Sequence, residues 1–262
     1  MISSSSNSQV KHIIKLNHKT KERRREKVFV TEGYKMFNEA PKDWILDVYV
    51  TQKFEQQHRE ELLEHHYEVV SDPIFSLMSD TLTPQGVLCV IRMPFYSLDD
   101  ILGKESPLCM ILEDLQDPGN LGTIMRTSEG AGVTGIILSK NTVDLFNPKT
   151  IRATMGSIYR IPYLYVEDLC SILTELRDRK ITTFAAHLDG KHTYDREDYT
   201  GGTAFFIGNE GNGLSQKLSK EAGRLIRIPM EGNVESLNAA VASSILMYEA
   251  YRQRRKSYLT KS

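Results

Sequence analysis

Long apolar runs and cysteines are scarce in this sequence, and their scarcity excludes several classes of protein. No apolar run approaches the ~20 residues that a membrane-spanning helix needs, and the serine-rich residues 1–8 lack the apolar stretch of a secretory signal. The three cysteines, Cys89, Cys109 and Cys170, are too few and too far apart for a disulfide framework or a cysteine-based zinc site. These features favour a cytoplasmic protein with reduced thiols.

Glycine and proline are too few, at 17 and 9 of 262 residues, for a collagen-like or low-complexity chain. An excess of charge of one sign is missing as well, since 33 Lys and Arg face 34 Asp and Glu and the formal net charge is −1. With 40% hydrophobic residues, the chain does not have the composition of a disordered protein. Its length predicts one large or two small globular domains.

Positive charge is concentrated near the N-terminus although the total charge is close to zero. Between residues 11 and 27, eight basic residues face only Glu22 and Glu26. Such a segment can bind a polyanion, because affinity follows the local patch more than the total charge. An ordinary solvated helix face would have the same pattern. The candidate binding residues are Lys11, Lys15, Lys19, Lys21, Arg23, Arg24, Arg25 and Lys27.

Strand-like and helix-like segments alternate along the whole chain. Strands are predicted, from their β-branched and aromatic residues, at 28–31, 44–50, 67–70, 86–91, 108–112, 135–138, 182–186, 204–207 and 225–228. Helices are predicted between the earlier strands at 33–40, 54–66 and 73–79. The alternation predicts an α/β protein with a parallel sheet flanked by helices in each part. A turn-rich segment between Arg92 and Pro107 divides the chain into predicted domains of residues 1–103 and 104–262.

A final helix is predicted from Ser236 to about Arg254. Its apolar residues recur at steps of three and four, which places them in one stripe expected to face the core. The members of the stripe are Leu237, Ala240, Val241, Ser244, Ile245, Tyr248 and Tyr251.

The first of three segments that suggest chemistry is a polar turn with Pro118 and Gly119, which follows the strand at 108–112 and leads into a helix. Asn120 is placed to cap this helix, and Arg126 lies nearly two turns further on. Open α/β sheets bind ligands at the carboxyl edge of their strands, where this turn is expected. A capped helix with a surface arginine would have the same sequence.

The second segment is a loop after the strand at 204–207, in which Gly208, Gly211 and Gly213 surround Glu210. The Lys-Ser/Thr ending of a P-loop and the spacing of the dinucleotide-binding G-x-G-x-x-G motif are both missing. Glycine permits positive φ and a close approach of the backbone to a ligand. The pattern therefore favours a tight loop that presents backbone groups over a phosphate-binding loop.

The third segment, from Ile228 to Ala242, again leads from a strand through a polar loop into a helix. Ser236 and Asn238 stand near the start of that helix, where either side chain can cap backbone donors. Capping alone would explain each residue singly. The shared order of strand, polar loop and helix in all three segments favours one common functional site.

Together these segments resemble the SpoU (TrmH) family of RNA ribose 2′-O-methyltransferases, within the SPOUT class. The resemblance depends on Asn120-Leu-Gly122 with Arg126, on Gly208-Asn-Glu-Gly211, and on Ile228-Pro-Met230 with Ser236 to Ala242. These motifs occur in the family's order and at about its spacing, over roughly residues 108–255. The basic N-terminal segment with residues 29–33 also looks like the substrate-binding domain of longer family members, which is related to ribosomal-protein-like RNA-binding folds.

The resemblance implies a SPOUT-type parallel sheet with a C-terminal trefoil knot, preceded by a small α/β RNA-binding domain. It implies a homodimer in which a second subunit completes the active site, with the last helix at the subunit contact through Leu237, Val241, Ile245 and Tyr248. The expected partner is structured RNA, ribosomal RNA in preference to transfer RNA, bound by the basic N-terminal residues. No membrane partner is expected.

The same resemblance implies S-adenosylmethionine as the methyl donor, and it implies no metal because the leaving group is neutral. The donor would contact Leu188, Ile207, Gly208, Gly211, Ile228, Pro229 and Leu237. The catalytic candidates are Asn120, Arg126, Glu210, Ser236 and Asn238. Arg126 would anchor a phosphate and orient the ribose, since a guanidinium stays protonated far above neutral pH and is a poor base. The group that accepts the hydroxyl proton is not identified by the sequence.

Three alternatives stay open at this point. They are a non-catalytic RNA-binding protein that keeps the fold, a base methyltransferase from another SPOUT branch, and an unrelated nucleotide-binding α/β protein. The presence of all five catalytic candidates argues against a decayed site, and the three motifs as a set favour ribose over base. His187 and His192 have no carboxylate partners at the spacing of metal ligands, so no metal site is expected.

Overall fold

Helices and strands alternate along the computed structural model, which describes residues 1–233 and 236–259. Their contacts group them into two units, one formed by Met1–Phe95 with Asp144–Tyr159, the other by Tyr96–Val143 with the described residues from Arg160 onward. The division predicted from the sequence, at residues 103 and 104, left Asp144–Tyr159 out of the first unit. A stretch of chain that comes between two strands of the second unit therefore packs in the first.

Up to Phe95 the order of elements follows the predicted alternation. The helices of this part are α1 (Ser8–His18), α2 (Thr20–Glu26), α3 (Tyr34–Glu39), α4 (Gln52–Gln57), α5 (Arg59–Leu62) and α6 (Asp72–Met78). The strands are β1 (Val28–Glu32), β2 (Ile45–Thr51), β3 (Tyr67–Val70) and β4 (Val87–Arg92). A short 3₁₀ turn at Lys42–Trp44 leads into β2.

The sheet of the first unit is mixed, with the strand order β1-β4-β2-β3. Only β2 and β3 are parallel, whereas β4 lies between β1 and β2 and is antiparallel to both. The prediction of a parallel sheet in this part was wrong. Alternation of strands and helices does not fix strand direction, and the chain after α6 enters β4 from the opposite end of the sheet.

From Tyr96 onward the helices are α7 (Leu98–Leu102), α8 (Pro118–Gly130), α9 (Pro148–Thr154), α10 (Leu173–Asp178), α11 (Gln216–Glu221) and α12 (Ala239–Leu259). The strands are β5 (Leu108–Leu112), β6 (Gly135–Ser139), β7 (Tyr163–Val166), β8 (Thr182–Ala186), β9 (His192–Thr193), β10 (Thr203–Ile207) and β11 (Arg224–Arg227). Short 3₁₀ turns occur at Ser157–Tyr159, Leu169–Ile172 and Tyr194–Arg196.

The sheet of the second unit has the order β7-β6-β5-β10-β8-β11-β9, and its strand pairs are parallel, as predicted for this part. Strands β5, β6 and β10 are buried along their whole length, which is typical of parallel sheets covered on both faces. The parallel direction brings the carboxyl ends of β8, β10 and β11 to one edge. The edge strands β7 and β9 were not predicted, and the trefoil knot stays a prediction.

Residues 144–159, with α9, contribute to the interior of the first unit. The ring of Phe146 lies 4.7 Å, between centroids, from that of Phe29 in β1. The hydroxyl of Tyr159 donates a hydrogen bond to the carbonyl oxygen of Met36 at 3.0 Å. Both contacts lie within the first unit, which explains why this segment groups there.

Helix α12 begins at Ala239 instead of Ser236, and the stripe it buries is not the predicted one. The buried side chains are those of Ala239, Ala240, Ser243, Leu246, Met247 and Ala250. Val241, Tyr248 and Tyr251 are 48%, 49% and 39% exposed, so they do not belong to the core of this chain, and the role of Val241 and Tyr248 in a subunit contact stays a prediction. Two apolar stripes of this helix fit a helical period, and periodicity alone does not say which one faces the core.

Candidate active site

The loops that follow β8, β10 and β11 surround a cavity of about 840 Å³ in the second unit. The seven residues predicted to contact a cofactor all line it: Leu188, Ile207, Gly208, Gly211, Ile228, Pro229 and Leu237. Three of the catalytic candidates line it as well, namely Glu210, Ser236 and Asn238. The second and third predicted segments therefore meet at one cavity, whereas Asn120 and Arg126 of the first segment are not among its lining residues.

Other lining residues were not predicted as site residues, among them His187, Asn209, Arg227, Met230 and Ala242. Most of them are next in the chain to a predicted residue. Membership of the same motif loop was therefore the signal that could have identified them. The walls combine apolar side chains with backbone groups of the three loops. A volume of this size suits a small organic ligand.

The loop after β10 is held in a tight fold by Asn209. Its backbone N–H and carbonyl exchange hydrogen bonds with those of Gly213, at 3.0 and 2.9 Å. Its side-chain oxygen accepts from the backbone N–H groups of Gly211 and Asn212 at 2.9 and 3.0 Å. A Cβ atom on Gly208 would lie only 2.1 Å from the carbonyl carbon of Gly213, so glycine is required there. The glycines predicted to make this loop tight do so.

Glu210 projects from this loop toward the start of α8. Its carboxylate accepts hydrogen bonds from the backbone N–H groups of Gln116 and Asp117 and from Nδ2 of Asn120, each at 3.0 Å. Burial by itself would raise the pKa of the Glu210 carboxyl, but these three donors outweigh burial and the pKa is lowered. Glu210 is therefore ionised at neutral pH.

Asn120, at the start of α8, bonds to the loop before α12 as well as to the loop after β10. Its Oδ1 accepts a hydrogen bond from Nδ2 of Asn238 at 2.9 Å. Asn238 in turn caps α12, since its Oδ1 accepts from the backbone N–H groups of Ala240 and Val241 at 2.9 and 3.2 Å. Glu210, Asn120 and Asn238 thus form one series of hydrogen bonds.

The cap of α8 is not Asn120, as the sequence suggested, but Asp117. The carboxylate of Asp117 accepts from the backbone N–H of Asn120 at 2.8 Å. Pro118 stands at the first helical position, which proline favours because its missing N–H would have no partner there. The side chain of Asn120, released from capping, is free to bond Glu210 and Asn238.

Arg126 is placed differently from the other catalytic candidates. It is exposed on α8 and is not among the residues that line the cavity. Its guanidinium makes no hydrogen bond or ion pair with any described residue. Ser236 lines the cavity and is exposed. The chain by itself therefore brings together the cavity and the Glu210–Asn120–Asn238 series, and leaves Arg126 outside the cavity.

The basic segment lies on α1 and α2 of the first unit, and one of its eight candidates is buried. Arg23 is 2% exposed, and its Nη2 lies 2.5 Å from the carboxylate of Asp144. It also donates to the carbonyl oxygens of Leu16 and Asn17. An enclosed guanidinium cannot contact a polyanion, so the structure removes Arg23 from the candidate binding residues. The other seven are exposed: Lys11, Lys15, Lys19, Lys21, Arg24, Arg25 and Lys27.

Neither a metal-ligand cluster nor a membrane-spanning helix is present in the described ranges, 1–233 and 236–259. They contain no group of three or more His, Cys, Asp or Glu side chains placed to hold a metal ion. None of the helices in those ranges has both the length and the apolar character for a membrane span.

Comparison with protein-family models gives two matches that divide the chain. The model of the SpoU rRNA Methylase family matches residues 107–248. The model of the MRM3-like substrate binding domain matches residues 7–89. The first match contains the cavity and the second contains the exposed basic residues of α1 and α2.

Named proteins resemble the chain over nearly its whole length. The 23S rRNA (guanosine(2553)-2′-O)-methyltransferase RlmP of Bacillus subtilis is 32% identical over 248 residues, which are 94% of this chain and 97% of that protein. The AdoMet-bound rRNA methyltransferase from Sinorhizobium meliloti is 33% identical with a TM-score of 0.87, covering 96% of this chain and 97% of that one. The SpoU methyltransferase AviRb from Streptomyces viridochromogenes, in complex with AdoMet, is 25% identical with a TM-score of 0.87 and coverage of 95% and 98%.

Proposed function

The chain belongs to the SpoU rRNA methylase family, and from that premise we propose that it transfers the methyl group of S-adenosylmethionine to a ribose 2′-hydroxyl of ribosomal RNA. The observation that carries the proposal is the cavity between the loops after β8, β10 and β11, two of which the Glu210–Asn120–Asn238 series ties to the start of α8. The relative named for 23S rRNA 2′-O-methylation and the two AdoMet-bound structures support the reaction and the donor.

The cavity fits S-adenosylmethionine in size and in character. Its volume of about 840 Å³ is that of a site for a nucleoside-sized ligand. Leu188, Ile228, Pro229 and Leu237 would pack against the adenosine, and the backbone at Gly208 would bind its polar atoms. The donor supplies a methyl group on a sulfonium sulfur, and because the thioether that leaves is neutral, no Lewis acid has to stabilise it.

The remaining task of the protein is to hold the ribose hydroxyl in line with the methyl group and to let its proton leave. The Glu210–Asn120–Asn238 series fixes the start of α8 against the loops that form the cavity. Arg126, further along α8, would bind the phosphate beside the reacting ribose. It acts by orienting the substrate, since a guanidinium is a poor base.

A homodimer is part of the proposal, because Arg126 does not line the cavity of its own chain. Arg126 of one subunit would complete the cavity of the other. The exposed stripe of Val241, Tyr248 and Tyr251 on α12 supplies apolar surface for the subunit contact. This helix packs beside the relevant part of α8, since the hydroxyl of Ser244 lies 3.4 Å from that of Thr127.

The seven exposed basic residues of α1 and α2 would bind the RNA backbone. They lie within the match to the substrate-binding domain model, which supports this assignment. Attraction of this kind comes from phosphates and is independent of base sequence. A location in the cytoplasm belongs to the same proposal, and the three free cysteines are compatible with its reducing conditions.

The test is methyl transfer from radiolabelled S-adenosylmethionine to RNA from cells that lack the protein, offered as total RNA and as ribosome-assembly intermediates. RNA is separated by size and digested to nucleosides. A labelled 2′-O-methylnucleoside in ribosomal RNA is the expected result, and Arg126→Ala should abolish it. Label confined to transfer RNA would overturn the substrate, label on a base would overturn the reaction, and no label in any fraction would favour a non-catalytic RNA-binding protein.

A further inference from the structure

Arg227, the last residue of β11, lines the cavity and is exposed. Of the described residues that line the cavity, it is the only lysine or arginine. Its guanidinium makes no hydrogen bond or ion pair with any described residue. Arg227 precedes the third motif, which begins at Ile228, so the motifs do not identify it.

Arg224, on the same strand, is by contrast an arginine that stabilises the fold. Its guanidinium is paired with the carboxylate of Glu197, whose side chain is only 3% exposed. That pair ties β11 to the chain after β9. Arg227 has no such partner, so its charge is not used to hold the fold.

The backbone of a second cationic residue, Lys191, runs beside the end of β11. The turn of residues 187–190 approaches β11 so closely that a Cβ on Gly190 would lie 2.8 Å from the backbone nitrogen of Arg227. Lys191 follows directly, is exposed and is also without an ion pair among the described residues. The same turn carries Asp189, whose carboxylate lies 3.8 Å from Nδ1 of His187. We call residues 187–191 and Arg227 the cavity rim.

We propose that Arg227, with Lys191 beside it, binds an RNA phosphate next to the ribose that is methylated. The inference rests on the proposed function. In RNA the 2′-oxygen and the 3′-phosphate are attached to neighbouring ribose carbons. A 2′-hydroxyl that reaches the cavity therefore brings a phosphate to the cavity rim. A guanidinium can bind such a phosphate through two parallel hydrogen bonds.

RNA is a better ligand for this rim than the methyl donor is. The donor has a single carboxylate and a cationic sulfonium. Cations beside it would therefore be attracted by the carboxylate and repelled by the sulfonium. A nucleic-acid backbone offers a row of phosphates, so it can use both Arg227 at the cavity and Lys191 on the neighbouring stretch of backbone. Arg227 is accordingly a substrate-positioning residue of the rim.

The test compares Arg227→Gln with the wild-type dimer on the RNA that it methylates. We expect the KM for RNA to rise about tenfold, with kcat and the KM for S-adenosylmethionine within about twofold of wild type. The slope of log affinity against log salt should become shallower by about 0.7 to 0.9, as for one lost phosphate contact. Arg227→Lys should restore the slope and only part of the KM, because it keeps the charge and loses the paired hydrogen bonds.

Arg177→Gln is the matched control, since Arg177 is an exposed arginine on α10 of the same unit, with its side chain 66% exposed. It should leave both the KM for RNA and the salt slope unchanged. The inference is overturned if Arg227→Gln behaves like this control, or if its effect falls on the KM for S-adenosylmethionine. Failure of the wild-type protein to methylate any RNA would instead overturn the proposed function, so the two failures are distinguishable.

Discussion

The side chains of Asn120 and Glu210 are joined by a hydrogen bond of 3.0 Å across 90 residues of sequence. The bond fastens α8 to the loop after β10, and Asn120 passes the connection on to Asn238 at the start of α12. The loop before α8, the loop after β10 and the loop before α12 are therefore fixed relative to one another. Connected polar side chains of this kind act as a unit when one member is changed.

Replacing Glu210 with Gln should lower the free energy of unfolding by about 1–3 kcal/mol near pH 7, because a charged acceptor of three donors is lost. The folded-state pKa of Glu210 lies below its unfolded value, so its stabilisation is present above the unfolded pKa and is lost as the pH falls through the folded pKa. The difference between wild type and Glu210→Gln should shrink at about pH 4.

Urea unfolding at the two pH values measures this difference. Glu221→Gln, at an exposed position of α11 in the same unit, is the control and should change little at either pH. A difference for Glu210→Gln that is the same at both pH values would mean that the pKa of Glu210 is not lowered by folding.

The Asn120–Glu210 bond should also appear as a coupling energy. In a double-mutant cycle of Asn120→Ala and Glu210→Gln, we expect the two stability changes to fall short of additivity by about 1–2 kcal/mol. Each single variant should reduce methyl transfer by at least about tenfold, and the double variant little further, because the residues act together. Additive stability changes would show that the two side chains do not support each other.

The sequence predicted the catalytic part better than the substrate-binding part, and particular residues show why. Glycines and polar residues after apolar strands are local signals, and the parallel direction of the strands then brings their carboxyl ends together. The direction of β4 and the burial of Arg23 depend on partners far along the chain. Asp144, the partner of Arg23, is 121 residues away. No local pattern distinguishes a buried arginine from seven exposed basic neighbours.

The two errors within the catalytic part have the same origin. Asn120 and Asp117 are both good N-cap residues, and only the position of Glu210 decides that Asn120 faces the loop. Along α12, two stripes have suitable residues at helical spacing. Contact with α8 selects the stripe that contains Met247, whose sulfur lies 3.4 Å from the hydroxyl of Ser128.

Arg23 should matter for stability, and its neighbour Lys21 for RNA binding. Arg23→Gln leaves Asp144 buried without its partner, which typically costs about 3–5 kcal/mol. Lys21→Gln removes an exposed charge and should leave stability within about 0.5 kcal/mol, while making the salt dependence of RNA affinity shallower. Denaturant unfolding and filter binding at several salt concentrations measure the two effects. Equal stability of the two variants would contradict the structural role of Arg23.

Tyr248→Asp should dissociate the proposed homodimer, because it places a charge in an apolar contact without a partner. Light scattering should give a mass near twice the 29.8 kDa of one chain for the wild type, and near 29.8 kDa for the variant. Leu188→Asp is a useful control, since Leu188 is 62% exposed but lies at the cavity rim. It should remain dimeric. A wild-type protein that is monomeric at micromolar concentration would remove the subunit contact from the proposal.

Complementation between two inactive variants should show whether Arg126 acts across subunits. Arg126→Ala keeps an intact cavity, whereas Ile228→Trp keeps Arg126 and fills the cavity with a large side chain. If each active site takes its cavity from one subunit and Arg126 from the other, a mixed dimer has one complete site. Random exchange of subunits should then restore about a quarter of wild-type activity. If Arg126 served the cavity of its own chain, a mixed dimer would have no complete site. Activity of the mixture that stays at the level of its two inactive parents would therefore place Arg126 and its cavity in the same chain.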